Sequence, residues 1–280
     1  MRLLIWSKAD LKYIKSVMKA EFYAFYCWMK NNRMFAFMML VWPYLMAGFL
    51  LGLGLLLGSL KVYGERMGVA NPVFYIIASS GVLISSISII DSAVATVLEH
   101  RWVGTLPYVI SSPPGFRTIA MFGPLLPAII GSFISISAIL PAAVLFEGIL
   151  GASKVFLALI LIYIATLPLI GLAVIIAGVT LIMREETNIA SFMTPFMILV
   201  SGVYYPQTIL PYVLQLLAKA VPVYYVVTAV KILATYHIPP FNIFFTIAGI
   251  LFGLTLIYNT MAYPGVKTIE NRIRSKGIQD

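Results

Sequence analysis

Apolar residues in this chain gather into runs much longer than a soluble helix or strand needs. From Met34 to Leu60 there is no Asp, Glu, Lys or Arg. Comparable runs cover Pro72–Leu98, Thr118–Phe146, Val155–Met183 and Phe241–Tyr263, and another starts near Asn188 and loses continuity at Tyr204-Tyr205-Pro206. A bilayer core takes about 20 consecutive apolar residues as helix, so each run is long enough to be a span. The pattern predicts an all-α membrane protein with six transmembrane helices in a membrane domain over 35–280. Lys61–Asn71 and Glu147–Lys154 read as short turns, Arg184-Glu185-Glu186 as a tight polar turn, and Pro264-Gly265 as the end of the last span.

Two stretches depart from the simple run. Residues 3–29 alternate with helical period: Leu11, Ile14, Met18, Phe22, Phe25 and Met29 fall on one face, flanked by Lys8, Lys12, Lys15 and Lys19. Lysines beside an apolar stripe suit an N-terminal amphipathic interfacial helix (1–34) whose ammonium groups reach lipid phosphates. Binding to a partner groove is the alternative reading. Residues 206–240 are apolar but cut by Pro206, Pro211, Pro222, Pro239 and Pro240. Pieces of about 15 residues make only ~22 Å of helix, too short to cross. They predict a re-entrant or interfacial half-helix pair before span 6, with its irregular backbone covered by protein.

Charge sets the orientation. With six spans both basic ends share one side, which then holds 14 of the 19 Lys and Arg. The other side holds Lys61, Arg66, Lys154, Lys219 and Lys231. Basic residues mark the cytoplasmic side, so both termini, the 264–280 segment and the 98–117 loop are expected inside a cell membrane. The net charge of +9 belongs to this bias and argues against nucleic acid as a partner. Hydrophobic residues make up 61% of the chain and charged residues 10%, with mean hydropathy +0.98. Soluble domains carry about 25% charged residues, so no separate soluble domain is expected. The lone cysteine, Cys27, excludes an internal disulfide and sits among aromatics, where it reads as packing. No cleavable signal peptide is expected, since the first long apolar run exceeds an h-region.

The motifs of several enzyme classes are missing. There is no Gly-x-x-x-x-Gly-Lys-Ser/Thr loop, no His-Glu-x-x-His and no Gly-x-Ser-x-Gly. The two histidines, His100 and His237, fall on opposite sides in this topology, which disfavours a metal site. The serines from Ser79 to Ser88 read as hydrogen-bonding between helices rather than as nucleophiles. A membrane enzyme built on them is one rival class. Asp91 is the one charge in span 2; it either faces a pathway or is hydrated near the inner boundary. An ion-coupled carrier or channel using Asp91 is a second rival.

The 98–117 loop carries Glu99 and Arg101, turns at Gly104, and offers Thr105 to cap a short helix in which Pro107 is tolerable only in the first turn. Leu106, Tyr108, Val109 and Ile110 give that helix an apolar face. It is either a docking knob for a soluble partner or a helix lying on its own membrane domain.

The pattern Glu99…Gly104-Thr105-Leu106…Ser112-Pro113 resembles the coupling-helix segment of type-2 ABC exporter permeases. Ser201-Gly202-Val203-Tyr204-Tyr205-Pro206…Leu210-Pro211…Pro222-Val223-Tyr224-Tyr225…Ala229-Val230-Lys231 is similar to the family's segment after the fifth span. Pro107 departs from the acidic or polar residue many relatives carry there, which bears on the length of the coupling helix. The resemblance implies a permease subunit that pairs with a second permease subunit, as homodimer or heterodimer, in the lipid bilayer. It has no catalytic site, binds no cofactor itself, and takes its drive from a separate ABC ATPase subunit holding ATP and Mg. Glu99, Arg101, Gly104, Thr105, Leu106, Tyr108 and Val109 would meet that ATPase. Trp42, Asp91, Phe196, Tyr204 and Tyr205 are candidates for the translocation path. Few fixed charges in the spans favour an amphipathic or hydrophobic cargo, drug- or lipid-like; a polysaccharide or glycolipid is the runner-up.

Overall fold

The computed structural model describes residues 8–56, 59–113, 115–182, 189–237 and 240–276. All regular structure among them is helical. Helix α1, Lys8–Asn31, is followed after a break at Asn32 by α2, Arg33–Leu56, and then by the short α3, Leu60–Met67. The expected loop after the first span is therefore a helix, capped by Ser59 at its start and closed by Gly68 in the left-handed region. Helix α4, Pro72–Trp102, starts with Pro72 in its first turn and with the Asn71 side chain accepting from the Phe74 amide, two start signals acting together.

The third apolar run does not form one helix. It divides into α6, Gly115–Phe122, α7, Leu125–Ser137, and the beginning of α8, Leu140–Ile182, after the six-residue α5, Leu106–Ser111. Pro124 and Pro141 stand at the two breaks, where a missing N–H costs least. The expected Glu147–Lys154 turn is present inside α8: two helices meet at Gly148, whose φ 64° and ψ −149° are non-helical, and the chain folds back so that Gly151 comes against the Ala143 carbonyl. Buried Lys154 and half-buried Glu147 pair across the turn at 2.5 Å, and Asn71 Nδ2 donates to the same carboxylate at 2.8 Å. The pairing neutralises both charges where water is scarce.

Helix α9, Ile189–Ser201, runs into an irregular segment, then α10, Tyr212–Ala220, and α11, Pro222–Thr235, which meet at 93°. The expected broken pair is present, with Pro211 and Pro222 at the helix starts. Helix α12, Phe241–Lys276, runs straight through Pro264-Gly265, contrary to expectation. Packing outweighs the hydrogen bond that Pro264 removes: Val266 is buried beyond it, and both Val266 and Ile269 lie against Gly178 of α8. The Arg184-Glu185-Glu186 turn lies outside the described residues.

Four described helices are long and apolar enough to cross a membrane: Pro72–Trp102, Thr118–Ser137 taken across the α6–α7 break, Leu140–Leu181 and Phe241–Arg272. The bent α10–α11 pair passes the same test when taken together. This is the make-up of a multi-pass membrane protein. Helix α4 is the most enclosed of the four and α12 the least, with Phe245, Phe252, Leu256 and Met261 turned outward. Helix α8 packs between α4 and α12. At Gly171 a Cβ would stand 2.9 Å from that of Tyr258, so the absence of a side chain lets α8 and α12 approach closely.

Candidate functional site

Helix α4 organises the site. Ser80, Ile84, Ile87, Ser88, Asp91, Ala95 and Glu99 recur at spacings of 3 and 4, which puts them on one stripe. The upper part of that stripe borders a cavity of about 510 Å³ closed by α2, α7 and α9. Its wall is mostly apolar: Met38, Met39, Trp42 and Met46 from α2, Leu83, Ile84 and Ile87 from α4, and Ile198 from α9. Asp91, Ser80, Ser88, Ser135, Thr194 and Tyr204 supply the polar atoms. The lower stripe borders a second cavity, about 500 Å³, between α1, α4 and α7. The two share Met39, Ser88 and Asp91, so Asp91 stands at their junction.

Of the five path candidates, Trp42, Asp91 and Tyr204 line the first cavity. Phe196 packs against the core instead, and the Tyr205 hydroxyl turns back to the Leu199 carbonyl at 2.6 Å. Neither borders either of these cavities. Sequence reasoning missed the Met38, Met39 and Met46 wall and missed Glu21. The polar stripe of α4 was available as a signal; the methionines carry none that separates cavity wall from core.

The serine-rich start of α4 does not bond between helices as expected. Ser79 and Ser86 hydroxyls return to the carbonyls of Tyr75 and Val82 in their own helix. Ser80 and Ser85 hydroxyls, both buried, have no hydrogen-bond partner among the described residues, and nor does that of Ser135 on α7.

The second cavity brings Glu21, Asp91 and Glu99 to one space, with Phe25 and Trp28 beside them. On α1, Val17 is buried and Ile14, Met18, Glu21 and Phe25 are half-buried, so Glu21 sits within the packed face. Leu11 and Phe22, expected on that face, are exposed. Burial first, and the neighbouring Glu99 carboxylate second, push the Glu21 carboxyl above its ordinary range. Lys12, Lys15 and Lys19 are exposed along α1. The Lys8 side chain lies outside the described residues.

Helix α5 follows α4 at the end where Glu99 stands. Leu106 and Ile110 are buried, and Val109 packs against the core at the edge. Tyr108, Trp102 and Val103 are exposed by 77, 70 and 73%. The helix thus sits on its own bundle by one face and turns Tyr108 outward, while Trp102 and Val103 are exposed in the chain just before it. Leu106 faces in, not out, because α5 packs on α6 and the end of α4. Arg101 also turns inward, its Nη1 donating to the Thr180 carbonyl on α8 at 3.4 Å, and is 9% exposed. Thr105 stands at the cap position without capping: its hydroxyl bonds the His100 carbonyl at 3.3 Å and lies 3.0 Å from His100 Nδ1. Gly104 turns the chain at φ 73°, where a Cβ would be strained, and it and Glu99 are exposed.

The opposite end of α4 is tied down. The Tyr63 hydroxyl donates to the Val203 carbonyl at 2.9 Å and that of Tyr75 to the Gly202 carbonyl at 2.8 Å. Gln207 Nε2 reaches the Val200 and Ser201 carbonyls. In the irregular Ser-Gly-Val-Tyr-Tyr-Pro segment the carbonyls of Ser201, Gly202 and Val203 are therefore taken up by side chains. From Asp91 the cavities continue toward Glu99, at the other end of α4.

No protein-family model matches the chain, and no curated protein matches it.

Proposed function

We infer that the chain is the transmembrane subunit of an ATP-driven exporter for an amphipathic or hydrophobic cargo. One observation carries the reading: Tyr108 is turned outward on the seated α5 and Trp102 and Val103 are exposed just before it, at the end of α4 where a cavity runs from Glu99 past Asp91. Exposed aromatic side chains at the end of a membrane helix suit a soluble partner's groove. The chain has no nucleotide-binding motif, so force on α5 has to come from that partner.

In this reading α2, α4, the α6–α7 segment, α8, α9 and α12 are six spans. Both ends, the lysines of α1 and the exposed Trp102, Val103 and Tyr108 face the cytoplasm, as the distribution of Lys and Arg supports. The α10–α11 pair and the ties from Tyr63 and Tyr75 form the outer closure. An ABC ATPase, with its ATP and Mg, docks on α5, and a second permease subunit completes the path. A cavity walled by methionine, leucine and isoleucine favours an amphipathic cargo over a polysaccharide, whose hydroxyls would lose their water partners there.

The test is reconstitution in vesicles with an ABC ATPase encoded beside it. ATP-dependent, vanadate-sensitive cargo movement that fails with Trp102→Asp and Tyr108→Asp supports the reading. Movement driven by a proton or sodium gradient with no ATPase favours the ion-coupled carrier instead, a reading that rests on the position of Asp91 between the cavities.

A further inference from the structure

The two cavities share a property that runs against the rest of the chain. The protein carries 19 Lys and Arg against 10 Asp and Glu. Yet among the described residues the charged side chains lining the cavities are Asp91, Glu21 and Glu99, and no Lys, Arg or His borders either space. Among the described residues none is paired with Asp91 in a salt bridge. A carboxylate against an apolar wall is expensive to hold without a compensating positive charge. Among the described residues the site holds no positive charge, although the chain as a whole has it in excess.

The remaining chemistry agrees. Trp42 borders one cavity and Trp28 the other, and an indole face attracts a cation. Met38, Met39 and Met46 form a soft, adaptable wall that accepts flat or branched apolar bodies. Ser80 and Ser135 are 2% and 1% exposed and border the first cavity with hydroxyls that have no hydrogen-bond partner among the described residues. Buried hydroxyls ordinarily find partners; these two are available to an acceptor atom on a guest. Each cavity lies within the range of about 300–1,000 Å³ typical of small-molecule sites.

We propose that the joined cavity is a binding site for lipophilic organic cations. The guest's delocalised or ammonium charge sits by Asp91, its apolar body lies against Met38, Met46 and Trp42, and an ester or ether oxygen faces Ser80 and Ser135. Glu99 and Glu21 line the approach from the α1 side and draw cations in over neutral or anionic analogues. As a cargo site this deepens the exporter reading and rests on it; the binding itself requires no ATPase.

The test measures binding, not transport. The whole protein in zwitterionic-lipid nanodiscs is titrated with rhodamine 6G, a cationic xanthene ester, by fluorescence anisotropy against empty discs. Saturable binding is expected, with fluorescein, an anionic xanthene, failing to bind. Tetraphenylphosphonium should displace rhodamine 6G and tetraphenylborate should not. Asp91→Asn should weaken rhodamine 6G by about tenfold or more, as loss of a buried charge partner does, and Ser80→Ala with Ser135→Ala should weaken it less. Equal competition by the phosphonium and the borate overturns the proposal on the wild-type protein alone, whatever the folding of the variants. So does unchanged affinity in a folded Asp91→Asn protein, or the absence of saturable binding. Cation binding without ATP-dependent export keeps this site and removes the exporter reading; ATP-dependent export of a cargo without cation binding does the reverse.

Discussion

The hydroxyl of Tyr75 donates to the carbonyl of Gly202 across 2.8 Å, joining the first turn of α4 to the point where the chain leaves α9. Gly202 adopts φ 76°, and a Cβ there would come within 2.8 Å of the Gln207 amide. The turn needs a glycine, and the glycine's carbonyl needs the tyrosine. Tyr75→Phe leaves a buried carbonyl unsatisfied and should cost about 1–3 kcal/mol. Gly202→Ala should cost more, because strain adds to the clash. Thermal unfolding in detergent, with an exposed residue such as Tyr236→Phe as control, measures both.

Lys154 is buried and Glu147 half-buried at the Gly148 turn within α8. Lys154→Met should destabilise by about 3–5 kcal/mol, because it strands the carboxylate. Adding Glu147→Gln to it should recover most of that loss, since an uncharged pair no longer needs neutralising. A double variant no more stable than Lys154→Met would show that the turn depends on something other than the ion pair.

Two substitutions in α5 should separate seating from docking. Leu106→Asp buries a charge under the helix and should lower thermal stability of the isolated subunit. Tyr108→Asp changes an exposed side chain and should leave that stability unchanged, while under the proposed exporter function it should reduce cargo-stimulated ATP turnover by an added ABC ATPase. If both lower stability alike, Tyr108 is not a free contact.

Glu21 should give a pH signature. Its folded carboxyl holds a proton more tightly than the unfolded one, because burial and Glu99 disfavour the charge. Stability therefore falls as pH rises from the ordinary carboxylate value, about 4.3, to the raised folded value, and stays lower above it. Glu21→Gln should raise the Tm at neutral pH and make no difference below about pH 4. Asp91 and Glu99 face the same cavity, so the comparison is between the variant and wild type across the titration.

Glu21 also shows the limit of periodicity. A helical stripe at 11, 14, 18, 22, 25 and 29 is correct in period but rotated from the face that packs, which includes Val17 and Glu21. The partner's shape, not the hydrophobicity of α1, chose the face. Pro264 shows the converse: a local breaker was overruled by contacts of Val266 and Ile269 with α8, far away in sequence.

What the order of residues determined was the long apolar helices and several of their breaks. Long uncharged runs have only helical ways to satisfy their backbones without water, and prolines at 124, 141, 211 and 222 interrupt them for a local steric reason. The tertiary structure alone decided that Leu106 faces in while Tyr108 faces out, that Phe196 and Tyr205 leave the cavity to Trp42 and Tyr204, and that Asp91 meets Glu21 and Glu99. These follow from how α1, α2, α4 and α9 rotate against one another. In a chain where nearly every face is apolar, hydropathy is too uniform to choose among rotations, and the choice falls to close packing.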